Sequence, residues 1–93
     1  MITLEDSNIR KFIAENDKCL IMFGAVWCGP CKMLKPKLSA LNRQDIGYIE
    51  VDQTSVSTTL DIRAVPTLVC FRDGKVVLTS HSLSEEVKNF LIL

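Results

Sequence analysis

Residues 19–25, Cys-Leu-Ile-Met-Phe-Gly-Ala, are apolar without interruption. A strand with one wet face alternates apolar and polar side chains, so an unbroken run of this length predicts a strand covered on both faces. Within 93 residues such a strand has to be central, with helices packed on either side of it. Even extended to Cys28, the run is far too short to cross a bilayer as a helix, and no membrane association is expected.

The flanking sequence supplies the covers. Ile2, Thr3 and Leu4 suit a short edge strand. Asp6 and Ser7 are good helix caps, and Ile9, Phe12 and Ile13 recur at helical spacing up to Asn16 and Asp17. After Gly29, Leu34, Leu38 and Leu41 mark one face of a second helix, with Pro36 inside it as a kink. Residues 46–51 read as a strand and 55–62 as a short helix. Residues 67–71 and 75–79 read as two strands joined by Asp73-Gly74, a pair that tolerates the positive φ a tight hairpin requires. Ser82 and Glu85 fit a capping box for a last helix carrying Val87, Phe90 and Leu91. The order βαβαβαββα predicts an α/β fold: a mixed sheet with helices on both faces and a C-terminal antiparallel hairpin.

Size allows one domain over residues 1–93 with one core. Lysine plus arginine and aspartate plus glutamate number 11 each, so the basic excess of a nucleic-acid binder is missing. Lys32, Lys35 and Lys37 cluster within the second helix and are read as a solvated face. The N-terminus lacks a basic segment followed by an apolar core, which predicts a soluble protein of a reducing, cytoplasmic compartment.

The chemistry concentrates in Trp27-Cys28-Gly29-Pro30-Cys31, where strand gives way to helix. Side chains three apart on a helix have Cβ atoms about 5–6 Å from each other, and a disulfide wants about 3.5–4.5 Å. A small adjustment therefore closes the bond and a small relaxation opens it. As a staple the pair is weak, since closing so short a loop stabilises by only about 2 kcal/mol. Cys28 at a helix N-terminus is better suited to carrying charge. Exposed N–H groups and the helix dipole favour an anion there by up to about 2 kcal/mol, enough to bring a thiol from about 8.5 toward neutrality. Pro30 loses nothing at the start of a helix, and Gly29 leaves the Cys28 sulfur approachable. Zinc would need a second ligand pair, and the chain offers only His81 and the isolated Cys19 and Cys70, so no metal is expected. Cys19 and Cys70 read as buried hydrophobes, His81 as a surface or hinge residue, and Trp27 as an exposed aromatic beside the sulfur.

Trp27-Cys28-Gly29-Pro30-Cys31-Lys32 is also the signature carried by thioredoxins, and this chain resembles that family over nearly its whole length. Phe23, Ala25, Pro36, Val65-Pro66-Thr67, Phe71 and Asp73-Gly74 match family positions as well. The resemblance implies a thioredoxin fold and a protein-disulfide reductase working by dithiol–disulfide exchange. In it, Cys28 is the nucleophile and Cys31 the resolving cysteine. Val65, a cis Pro66 and Thr67 form the client-docking loop, and Trp27, Gly29 and Pro30 shape the site. The resemblance further implies no bound cofactor, electrons from a flavin- and NADPH-dependent thioredoxin reductase-like partner, disulfide-containing client proteins, and a monomer. A binding module that uses the same groove, or a disulfide isomerase or oxidase, are the alternative functions.

Four positions depart from the family pattern. Met22 stands where thioredoxins usually bury an aspartate, Gly24 where they have tryptophan, Tyr48 where they have lysine, and Ser82 where they have glycine. Without a carboxylate at position 22, Cys31 is expected to resolve the mixed disulfide slowly near neutral pH and faster as pH rises. Ser82 is expected to alter the client groove.

Overall fold

The structure is a computed structural model describing residues 1–92, and in it β2 (Lys18–Gly24) is the middle strand of a single five-stranded sheet. The sheet order is β1-β3-β2-β4-β5, with β1 at Ile2–Thr3, β3 at Ile46–Glu50, β4 at Thr67–Arg72 and β5 at Lys75–Ser80. The first three in that order run parallel; β4 is antiparallel to β2, and β5 to β4. The mixed sheet expected from the order of elements is thus present.

The apolar run is buried from Cys19 through Gly24 because its two faces serve two cores. Leu20 and Met22 pack with Leu34 and Leu38 of α2 (Gly29–Ser39) and with Val87 and Leu91 of α4 (Glu85–Ile92). Cys19, Ile21 and Phe23 pack on the other side with Ile9 of α1 (Ile9–Glu15) and Val56 of α3 (Val56–Thr59). Two strands joined by Asp73 and Gly74, with φ of 53° and 79°, make the hairpin in the positive-φ turn their sequence favours.

Several boundaries differ from expectation for local reasons. Helix α1 begins after Asn8, whose Oδ1 accepts the upstream Glu5 N–H at 2.8 Å and makes no bond to the helix, while Asp6 is engaged by the Thr54 hydroxyl across the chain. Helix α2 ends at Ser39, leaving Leu41 outside it and exposed. Helix α3 spans only four residues. Helix α4 starts from Ser84, whose Oγ accepts the Val87 N–H and whose carbonyl accepts that of Lys88; Ser82 instead donates its N–H to Ser80 Oγ. Strand β3 closes at Glu50, and Val51 opens a 3-10 turn.

One polar staple ties the end of α4 to the sheet. Arg43 grips both carboxylate oxygens of Asp45 at 2.9 and 2.7 Å and donates to the Leu91 carbonyl at 2.7 Å. That hydrogen bond with Asp45, more than the Coulomb attraction, holds the Asp45 carboxyl below the usual carboxylate range. A carboxyl lowered by folding stabilises the protein above its unfolded value of about 3.9, and the benefit is lost as pH falls through the folded value. Arg43→Ala is expected to lose about 1–2 kcal/mol at pH 7 in urea unfolding, the pair being partly exposed. The difference from the parent should shrink below about pH 4; a pH-independent difference would show that the ion pair is not its source.

Candidate active site: a cysteine pair between two clefts

Strand β2 stops at Gly24, and the chain turns outward so that Cys28 N–H donates to the Ala25 carbonyl at 3.1 Å. Cys28 keeps extended dihedrals (φ −92°, ψ 114°) as the residue preceding the first turn of α2. Its Sγ accepts the Cys31 N–H at 3.2 Å. The sulfur thus occupies the place of a capping oxygen, where a backbone donor and the helix dipole both favour negative charge. Cys28 and Cys31 are joined as a disulfide with their Cα atoms 5.3 Å apart, inside the ordinary range for such a bond.

Around the pair the structure sorts the site residues by exposure. Trp27 is 66% exposed and donates Nε1–H to Asp52 at 3.1 Å, while Cys28 and Cys31 retain only 4% and 3%. Gly29 and Pro30 stand exposed beside the disulfide, and a side chain built at Gly29 would point into open space. The Val65–Pro66 peptide is cis. Trp27 and Val65 line one cleft of about 440 Å³; Gly29, Pro30 and Pro66 line a second of about 580 Å³ that also takes in Met33, His81 and Ser82. Thr67 is buried, its hydroxyl donating to the Ala64 carbonyl at 2.6 Å. Every site residue named from the sequence therefore belongs to the disulfide or to the clefts and loop beside it.

Sequence reasoning left three neighbours out of the site: His81, read as a surface or hinge residue, Tyr48, noted only as a departure from the family pattern, and Glu50. His81 Nδ1 lies 3.1 Å from the Pro66 carbonyl oxygen and 3.3 Å from Thr67 Oγ1, tying the end of β5 to the cis-proline loop. Tyr48 fills the space left by Gly24: a Cβ there would sit 2.9 Å from the tyrosine Cε2 and 3.4 Å from Cys31 Sγ. Glu50 Oε1 accepts the Tyr48 hydroxyl at 2.9 Å. A polar residue at each alternate position of an otherwise apolar strand, Tyr48 and Glu50, was the available signal.

The other two cysteines have no access to this chemistry. Cys19 and Cys70 are buried, on opposite faces of the sheet, and burial pushes each thiol up to about 11. No group of three or more potential metal ligands occurs among the described residues.

Comparison with known proteins agrees with the geometry. The thioredoxin family profile matches residues 1–91. Mitochondrial thioredoxin-3 of Saccharomyces cerevisiae is 34% identical over 76 residues, covering 76% of this chain and 60% of that protein. A thioredoxin of Staphylococcus haemolyticus is 36% identical over 83% of this chain and 79% of its own length. A variant thioredoxin of Halobacterium salinarum superposes with a TM-score of 0.82 at 31% identity, covering 98% of this chain and 85% of that one. With its mixed sheet, its Cys28–Cys31 disulfide at the head of α2 and a profile match over residues 1–91, the chain belongs to the thioredoxin family of protein-disulfide oxidoreductases.

Proposed function

We propose that the protein reduces disulfides of client proteins, with Cys28 as attacking thiolate and Cys31 as resolving thiol. The observation that carries this reading is the Cys28 sulfur at the N-terminus of α2, bonded to Cys31 and accepting its N–H. A client disulfide enters between the clefts. Cys28 thiolate attacks one sulfur, a mixed disulfide forms and the other client sulfur leaves as thiolate. Cys31 then attacks Cys28, the bond to the client breaks and the second client sulfur is freed. The client gains two electrons, and the Cys28–Cys31 pair becomes the disulfide seen here.

The exposed Trp27 and the half-buried Val65 flank the docking path, and the Val65 backbone suits pairing with an extended client segment as an added strand. Pro66, with no N–H, shapes the groove opposite Gly29 and Pro30, and Ser82 and His81 border it. The chain works as one domain and as a monomer in a reducing, cytoplasmic setting. A flavin- and NADPH-dependent reductase regenerates its dithiol.

The test is the pH dependence of iodoacetamide alkylation of the reduced protein. Cys28 is expected to react as a thiolate well below the free-thiol value of about 8.5, and at pH 7 about tenfold faster than in the unfolded chain. A Cys28 profile matching that of the unfolded chain would refute the assignment.

A further inference from the structure

The resolving step asks something of Cys31 that its surroundings have to supply. Its side chain is almost wholly withdrawn from water, and a buried thiol resists ionising. It must nonetheless lose a proton as its sulfur attacks Cys28. The interior around it offers no base from β2, where Met22 and Gly24 are the nearest in-facing positions.

The neighbouring strand does. Parallel pairing sets Tyr48 beside Met22 and Glu50 beside Gly24. Both point to the α2 side of the sheet, and the missing side chain at Gly24 leaves the space that the tyrosine ring fills. The position of a Gly24 Cβ lies 3.1 Å from the Tyr48 oxygen and 3.4 Å from Cys31 Sγ, so both border the space that a side chain there would take. The tyrosine donates its hydroxyl hydrogen to Glu50 Oε1 at 2.9 Å, which fixes the carboxylate. Lys35, one helical turn beyond Cys31, sits 3.8 Å from the centre of the Tyr48 ring and clamps it from above. Cys31, Lys35, Tyr48 and Glu50 line one open cleft of about 300 Å³, so solvent entering it reaches the thiol and the carboxylate together.

We infer that Glu50 is the proton acceptor for Cys31 in the resolving step, with Tyr48 as its positioning residue. The inference rests on the reading of Cys28 as first nucleophile. In the mixed disulfide, the Cys31 S–H proton passes through a cleft water to the Glu50 carboxylate. The Cys31 sulfur bonds to Cys28 Sγ, the Cys28–client bond breaks, and the client thiolate takes its proton from solvent. Glu50 returns its proton to the open cleft. Tyr48 does not serve as the base: burial and the adjacent Glu50 carboxylate push its hydroxyl up to about 12, so it stays protonated and donates. The charged groups facing the cleft are Lys32 and Lys35 from α2 and Glu50 from β3; β2 adds none. Glu50 thus performs the task that the residue at position 22 leaves undone.

The experiment follows a single turnover by quench-flow: the reduced protein is mixed with a peptide disulfide, and formation and decay of the mixed disulfide are timed between pH 6 and 9. Glu50→Gln is expected to leave formation unchanged and slow decay about tenfold at pH 7. The loss should narrow as pH rises toward about 9, where hydroxide takes over the task of the missing base. Tyr48→Phe, which keeps the ring under Lys35, should slow decay about threefold with the same recovery at high pH. Glu50→Asp should restore part of the rate, and Glu85→Gln, an exposed acid on α4, should leave the profile untouched. A Glu50→Gln decay profile superimposing on the parent's would overturn the inference. If Glu50→Gln does not fold, Tyr48→Phe decides by the same criterion. Failure of Cys31→Ser to accumulate a mixed disulfide would instead defeat the reading of Cys28 and be visible as such.

Discussion

Replacing Cys28 by serine is expected to abolish reduction of insulin disulfides, by at least about a thousandfold. A serine hydroxyl has no accessible anion at neutral pH and cannot exchange with a disulfide, so the loss removes the bond-forming atom itself. Cys31→Ser should behave differently. Cys28 remains at the head of α2 with the backbone N–H of position 31 still in place as a donor, and it can still attack a client. The second exchange is blocked, so clients accumulate as mixed disulfides that dithiothreitol releases. The contrast between a dead enzyme and a trap distinguishes exchange chemistry from a groove that merely binds. A Cys28→Ser protein retaining its full effect on clients would establish the binding module.

The second large effect concerns the sheet beneath the site. Phe23 is fully buried, packs against the α1 and α3 side, and pairs with Ile49 on one flank and Thr67 on the other. Phe23→Ala removes most of a large aromatic from a place where neither flanking strand can close up, because both are fixed by their ladders. Such truncations cost about 3–5 kcal/mol, a large share of the roughly 5–15 kcal/mol that a domain has in total. Urea unfolding should show the midpoint falling with the slope nearly unchanged, and the melting temperature dropping by about 4–8 °C for each kcal/mol lost. A cost under about 1 kcal/mol would mean that the α1 and α3 face repacks around the gap.

Local features were the legible part. The unbroken apolar run announced a strand covered twice, and Leu20 and Met22 on one face with Ile21 and Phe23 on the other bear this out. Asp73-Gly74 announced its turn, because the φ values it needs belong to those residues. Helix starts were less legible. Asp6 and Ser82 are good caps in isolation, yet Thr54 engages Asp6 from far along the chain and Ser84 takes the capping place expected of Ser82. Capping propensity cannot rank competing hydrogen bonds that involve residues far along the chain.

The sequence by itself determined the order of strands and helices and the pair of cysteines at the head of α2, since hydrophobic period and motif spacing act over a few residues. What stands behind Cys31 was decided by tertiary structure. Gly24 and Tyr48 are meaningless apart: one looks like a weak point in a strand and the other like ordinary core. Parallel pairing of β2 with β3 brings Tyr48 and Glu50 alongside Met22 and Gly24, and the packing of α2 above them brings Cys31 and Lys35. The glycine then becomes the space into which the tyrosine fits, and the carboxylate it holds comes to share a cleft with the buried thiol. Register is a property of two strands together, which is why no single stretch of this sequence could announce it.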